Sequence, residues 1–366
     1  MFERSSITLF TLIVICVSIY FLRLFKPSLK PASTILITTL LIFFVTIFIG
    51  LRPLDAGNDT IRYAFTYLQL NSWTTAPEIG SRFFGSIEPF YWYFAYSVKL
   101  FGADIQFFLI ISILLSTFLT FIAIKSIDSK KIDLNTALLL TLLVFCTYSI
   151  VYLSNHMRAS IAIPLCLASF IFATRNKGII SLLLIAIAIG FHNSALLIVP
   201  ALILGFNINP SNTRREKTFI ILFLITCFLL SSSITTIFQT TIPILSENAI
   251  HKIYIYTNNQ FDIQSVYTSK NFYFIILHIF VFIMLKHEKV HFYAYYVLSL
   301  ILVLSPIPIL ADRYFAYLMP LLPALLYLSL STRYSQTATV LILSAFYLIS
   351  ALALVFTSSV IYNLGI

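Results

Sequence analysis

An arginine between two long apolar runs must meet an anion or water. Arg158 is so placed: Asn155-His156-Met157-Arg158 separates Leu134–Leu153 from Ala159–Ala173. At the centre of a bilayer an arginine costs at least ~2.5–3.5 kcal/mol, so this guanidinium belongs at a membrane surface or in a polar cavity. The nearest upstream acid, Asp133, is a whole apolar run away. Two further insertions have the same form, Phe191-His192-Asn193-Ser194 and Ala311-Asp312-Arg313-Tyr314. A hairpin needs only Gly, Ser or Asn at such a place, so His, Arg and Asp in all three invite a chemical reading. The plain alternative has Arg158 and Arg313 snorkelling to lipid headgroups and His192 capping a helix end. That alternative fits one turn taken alone better than three on one face.

The remaining charged candidates lie earlier in the chain, in Gly57-Asn58-Asp59-Thr60-Ile61-Arg62-Tyr63 and at Glu88-Pro89. Asp59 and Arg62 are three apart, which on spacing alone reads as a local salt bridge. Glu88 before a proline reads as a helix N-terminal carboxylate favoured by the helix dipole. Taken together, external arginines, a histidine and one or two carboxylates suit transfer from a lipid-linked diphosphate. Arginines stabilise a departing diphosphate through charge-assisted, often bidentate hydrogen bonds. A histidine or carboxylate removes the proton from an attacking sugar hydroxyl, and a crevice between helices leaves the lipid tail in the bilayer. On this reading the anion that Arg158 lacks in its own segment is a substrate diphosphate rather than a protein carboxylate. His192 is the first choice of general base, with Asp59 its competitor.

Other chemistries lack their signatures. There is no HExxH, Cys/His cluster or carboxylate pair at ligand spacing, so no metal is expected. No P-loop, dinucleotide fingerprint or GxSxG occurs, so no cofactor is expected and nucleotide-driven or hydrolase readings lose their simplest support. Cys16, Cys146, Cys166 and Cys227 all lie in apolar runs and read as packing residues.

The elements that must position these residues are helices in a membrane. Of 366 residues 60% are hydrophobic and 10% charged, where a soluble domain carries about 25% charged residues; mean hydropathy is +0.97. The net charge of +10 fits basic cytoplasmic loops, and no basic tail suits nucleic acid. The pattern predicts an all-α polytopic membrane protein in one domain, residues 1–366, with spans near Ile7–Phe25, Ala32–Leu51, Ile105–Ile124, Leu134–Leu153, Ala159–Ala173, Thr218–Phe238, Phe272–Leu285, Phe292–Leu310, Tyr314–Leu330 and Ala338–Phe356. Ile179–Phe206 reads as two short helices meeting at Gly190–Ser194, and Phe90–Gly102 as an interfacial or re-entrant aromatic helix. With the short helices this makes about 12 transmembrane helices. Two long polar stretches, 52–88 and 239–271, read as loops; Tyr254, Tyr256, Asn258, Asn259 and Tyr267 in the second suit stacking on sugars.

Basic residues concentrate on one face, which is therefore cytoplasmic. Flipping everything before the aromatic helix hardly changes that count. The first topology is chosen because it gathers Asp59, Arg62, Glu88, Arg158, His192, Asp312 and Arg313 on the opposite, external face.

Gly57-Asn58-Asp59-Thr60 to Tyr63, Glu88-Pro89-Phe90-Tyr91, Asn155 to Ala162 and Gly190-Phe191-His192-Asn193-Ser194-Ala195 together resemble the EpsG-like group of bacterial polysaccharide polymerases, similar to Wzy-type O-antigen polymerases. The likeness covers roughly residues 50–205, with a late Asp312-Arg313-Tyr314 turn; where the group more often has Arg-Gln, Arg158 is followed by Ala159. The resemblance implies an inner-membrane glycosyltransferase of GT-C type with two large periplasmic loops. It would move a growing glycan from undecaprenyl diphosphate onto the non-reducing end of an undecaprenyl-diphosphate-linked repeat unit at the periplasmic face. Its partners would be that lipid-linked oligosaccharide, membrane lipids, a chain-length regulator and a flippase. In this picture Arg158, Arg313 and Arg62 hold the diphosphate, while Glu88 and Asp312 orient the arginines or the acceptor sugar; Asn155, Tyr63 and Tyr314 contribute to substrate binding. Two other functions compete: a flippase or transporter of lipid-linked sugars, which predicts charged mid-span positions or an internal repeat, and a membrane O-acyltransferase of surface glycans, which predicts a His-Asp or Asn-His pair. The transporter features are absent from the sequence, and the acyltransferase reading would need a clearer pair tied to a cytoplasmic acyl-CoA site.

Overall fold

In the computed structural model, the described residues are 31–54, 59–85, 88–145, 156–207, 290–304 and 313–335, with single positions or pairs between 338 and 347. Among them every regular element is helical. The expected spans Ile7–Phe25, Thr218–Phe238 and Phe272–Leu285, most of Ala338–Phe356, the stretch 239–271, and the residues Asn155, Asp312, Cys16, Cys146 and Cys227 lie outside the described residues.

Three helices are long and apolar enough to cross a membrane: α1 (Pro31–Gly50), α5 (Ile105–Ile127) and α7 (Met157–Thr174). At 1.5 Å per residue, the 23 residues of α5 reach about 35 Å. Shorter apolar helices are α6 (Leu134–Phe145), α8 (Gly178–Phe191), α9 (Val199–Asn207), α10 (His291–Val303) and α11 (Leu322–Ser331). Local signals set several starts. Asp104 accepts from the Phe107 amide at 2.8 Å to cap α5, and Asp133 accepts from the Thr136 amide at 2.7 Å ahead of α6. Asn176, at φ 58°, supplies the left-handed turn between α7 and α8, a conformation asparagine tolerates.

Helix α7 is the axis of the bundle. The share of its spanning window buried in protein is 83%, against 33% for α1 and 50% for α5. Alanine and serine along it let α5, α8 and α9 approach closely. Pro164 has no N–H, so the Ser160 carbonyl one turn back loses its helical donor. The Ser116 hydroxyl on α5 fills that place at 2.7 Å. Further along, Ser169 donates to the Ser181 carbonyl of α8, also at 2.7 Å. One hydroxyl thus pins α5 to the backbone of α7, and the other pins α7 to the backbone of α8.

Two expectations are corrected here. The stretch 52–88 is not a plain polar loop: it folds into α2 (Thr60–Gln69) and α3 (Ala76–Phe84), which pack with α4 (Pro89–Leu100) around a buried aromatic cluster. Tyr63 stacks on Phe84 at 4.8 Å, Tyr67 on Phe108 at 4.8 Å, and Phe84 meets Trp92 at 5.4 Å. Gly80 is required there, because a Cβ would fall 2.0 Å from the Trp92 ring nitrogen. Low mean hydropathy hid helices whose tyrosines recur at helical spacing. Second, Tyr314–Leu330 is not one continuous helix. A 3₁₀ turn at Ala316–Leu318 and a turn at 319–321 precede α11, where Pro320 and Pro323 withhold the amides an unbroken helix needs.

If Ser116 answers the carbonyl freed by Pro164, the two positions must be energetically coupled. Ser116→Ala is expected to cost about 0.6 and at most ~1.7 kcal/mol, the range for interhelical hydrogen bonds in membranes. The cost should nearly vanish in a Pro164→Ala background, where the helix supplies its own donor; thermal unfolding of the four proteins in detergent gives the coupling.

Candidate functional site

The centre of the polar end is Glu88, 1% exposed at the start of α4. It stands at the N-cap position, but its side chain makes no capping hydrogen bond to its own helix. It reaches across to two other elements instead. Oε2 accepts from an Arg158 amino group at the start of α7. Oε1 pairs with His192 Nδ1 at 2.8 Å and accepts from the Asn193 amide at 3.2 Å. The expectation that Arg158 lacks a protein anion is therefore corrected: Glu88, distant in sequence, supplies it. Arg158 Nε donates to the Tyr63 hydroxyl at 3.3 Å, and its guanidinium carbon lies 4.1 Å from the Phe84 ring centroid. A desolvated cation gains from such a ring face.

The approach of α4 to α8 depends on Gly190. A Cβ there would lie 2.3 Å from the Phe90 ring, so only glycine lets Phe90 seat on the end of α8 and bring Glu88 to His192. From the other side, Tyr314 donates to the Ser194 carbonyl at 3.2 Å and the Tyr317 and Ser194 hydroxyls lie 2.8 Å apart, the two tyrosine rings being stacked at 5.5 Å. The His192 turn, where α8 passes into the 3₁₀ segment Asn193–Ile198, is thus held on both sides.

A second group adjoins the first. Asp59 lies 3.9 Å from Arg62 and 3.8 Å from His156 Nδ1. The local Asp59–Arg62 pairing is present, with Arg62 mostly exposed. Arg313 is close enough to act electrostatically on Asp59, His156 and His192. The structure thus brings Glu88, Arg158, His192 and Tyr63 into direct contact, places Asp59, Arg62 and Arg313 beside them, and uses Tyr314 as a brace.

Burial would by itself raise Glu88, but the His192 hydrogen bond, the Arg158 charge and the Asn193 amide together hold it at about 2. An ionised carboxylate only accepts, so His192 Nδ1 must carry the hydrogen and Nε2 is left as the basic nitrogen. Burial lowers His192 below the usual histidine value and outweighs the pull of Glu88, so its imidazole is neutral at pH 7. His156 is likewise held neutral, by burial and by the nearby Arg313, His192 and Arg158. Burial raises the Asp59 carboxyl despite the arginines around it.

One residue in this region was passed over in the sequence. Arg52 is 3% exposed; its side chain donates to the Ile49 carbonyl at 2.9 Å, to Thr60 Oγ1 at 3.3 Å and to Met157 Sδ at 3.6 Å. Its own carbonyl accepts from Gln106 at 3.2 Å. It therefore ties the end of α1 to the starts of α2, α5 and α7, immediately next to Arg158. The signal was available, since Arg52 ends an apolar run as Arg158 begins one. Among the described residues, no three His, Cys, Asp or Glu side chains gather to hold a metal.

Apolar spans, a buried charge cluster at the helix ends and an all-helical fold define a polytopic membrane protein with a polar site set among its helices. The EpsG family model matches residues 34–365, and the chain belongs to that family, which is of Wzy-like polysaccharide polymerase type. No curated protein and no solved structure matches it.

Glu88 links stability to pH. A carboxyl whose folded pKa lies below its unfolded value stabilises fully above the unfolded value, near 4.5, and loses that contribution as pH falls towards about 2. Replacement by Gln leaves Arg158 without its buried partner, which typically costs about 3–5 kcal/mol. Melting midpoints from pH 3 to 8 should show a steep acid loss in the native chain and a lower, flatter curve for Glu88→Gln. Gly190→Ala should destabilise as well, by forcing Phe90 off α8.

Proposed function

We propose that this protein is an inner-membrane polysaccharide polymerase of GT-C type. It transfers a growing glycan from undecaprenyl diphosphate to the non-reducing end of an undecaprenyl-diphosphate-linked repeat unit on the periplasmic side. The observation that carries this reading is the shared carboxylate: Glu88 fixes a neutral histidine and an arginine side by side in a buried cluster bordered by further arginines. Family membership supplies the reaction class.

In this mechanism His192 Nε2 removes the proton from the acceptor hydroxyl. The freed oxygen bonds to the anomeric carbon of the donor glycan, and the bond from that carbon to the diphosphate oxygen breaks. The electron pair leaves with undecaprenyl diphosphate. Arg62 and Arg313, with the outward edge of Arg158, hold its charge. Glu88 steadies the imidazolium that forms, as a carboxylate does for a histidine base, and the proton passes on when the products leave. Because Glu88 already balances Arg158, Arg62 and Arg313 share the task of meeting the diphosphate charge. Asp59 is the competing base; its raised pKa suits proton uptake, while its place between Arg62 and His156 also suits a role in orienting Arg62.

Losing a general base typically costs about 10²–10⁴-fold in rate. His192→Ala should reduce chain growth by that order, and Asp59→Asn by less. If Arg158→Ala and His192→Ala both leave polymer length on a gel unchanged at normal protein levels, the assignment is wrong. The acid limb of kcat/KM should lie below the ordinary histidine pKa. Glu88→Gln should move it lower still, because the carboxylate raises the affinity of His192 for its proton.

A further inference from the structure

Among the described residues, α2 and the end of α4 together leave a group of large apolar side chains uncovered outside the spans. On α2, Ile61, Phe65 and Leu68 are 44%, 54% and 64% exposed; at the end of α4, Leu100 and Phe101 are 58% and 89% exposed. Spacings of four and three place the α2 residues in a single stripe, distinct from the buried stripe of Tyr63, Ala64 and Tyr67. Lys99 locks the two exposed groups into one corner, its Nζ donating to the carbonyls of Tyr67, Leu68 and Leu70 at 3.0, 2.7 and 2.7 Å. The corner is continuous with a span. Tyr67 donates to the Ala103 carbonyl at 2.8 Å and stacks on Phe108 in the first turn of α5, where Phe107 is 49% exposed. Further down, α5 and α1 turn outward such residues as Phe118, Leu36 and Phe44. Helix α3 has the opposite character: its exposed side chains include the Glu78–Arg82 ion pair, and it contributes no large exposed apolar residue.

We propose that α2 and α4 form a shelf lying in the membrane interface, with the stripe Ile61-Phe65-Leu68 and the corner Leu100-Phe101 inserted among lipid acyl chains and α3 facing water. The occupant of this face is the phospholipid surface, for three reasons. The patch lies at the head of α5, whose Phe107 and Phe118 also face outward. Its residues are aliphatic or aromatic, as on interfacial amphipathic helices. The exposed Glu78–Arg82 ion pair of the same unit sits on α3, while on α2 the exposed Arg62 flanks the stripe, as a basic side chain does on an interfacial helix. The stretch 59–101 is then not an aqueous loop but a part of the membrane body that holds Glu88 and Tyr63 at headgroup depth. This inference does not rest on the proposed reaction, and its test reads no activity.

Nitroxide labels on Leu68→Cys, Phe101→Cys and Glu78→Cys in the full chain, reconstituted in phosphatidylethanolamine–phosphatidylglycerol vesicles, measure collision with oxygen and with a water-soluble nickel chelate. The unsubstituted chain gives the background from native thiols. Labels at 68 and 101 should meet oxygen several-fold more readily than nickel, and the label at 78 should show the reverse. Nickel access at all three positions would make the unit an aqueous loop and overturn the proposal. Exclusion of both reagents at 68 and 101 would overturn it too, by showing that protein covers the corner. Phe65→Cys provides another position on the same stripe should either variant fail to fold.

Discussion

An ionised carboxylate held almost wholly out of water has to be surrounded by donors, and at Glu88 those donors come from two segments distant in sequence. Arg158 begins α7, His192 ends α8 and the Asn193 amide opens the 3₁₀ segment beyond it. Bringing them together costs desolvation of an arginine and a glutamate, which their mutual attraction offsets only with good geometry and satisfied remaining bonds. Tyr63, Phe84 and the Asn193 amide meet that condition. The same requirement fixes where α4 sits, since Pro89 starts a helix whose first residues must approach α8.

The membrane-spanning part carries this arrangement on α7. A proline in a buried helix would leave an unanswered carbonyl in a region with no water to repair it. Ser116 repairs it from α5, and the repair doubles as a cross-link between two spans. Arg52 plays a comparable part at the upper end, joining α1, α2, α5 and α7 through one buried side chain and its carbonyl. Packing by small residues sets how closely the helices approach; these few polar contacts set their register.

Much of this was legible in the sequence because bilayer thickness makes apolar runs stand out. The α1, α5 and α7 runs read correctly within a few residues, as did the break at Gly190–Ser194 that carries His192. The charged residues were found by the same logic, since arginine and histidine beside apolar runs are conspicuous. Apart from the local Asp59–Arg62 pair, their pairings were not legible. Glu88 and Arg158 are 70 residues apart, and nothing local says that a carboxylate before a proline turns away from its own helix. The helices of 59–85 were missed because hydropathy averages erase an amphipathic pattern, although Tyr63 and Tyr67 four apart were its trace. The broken segment before α11 was missed for the opposite reason: uniform apolarity outweighed two prolines.

Phe90 lying flat on Gly190 has a consequence for how the polar cluster keeps its dimensions. Flexible side chains are poor rulers, but an aromatic ring pressed on bare backbone is a spacer of fixed thickness, stiff in the one direction that separates Glu88 from His192. The tolerance of the cluster is then that of a van der Waals contact, steep within a fraction of an ångström. A flat ring of another kind at position 90 preserves the gauge, whereas a branched aliphatic residue of similar volume alters it. The spacing of two charged partners is in this way entrusted to a contact that carries no charge at all.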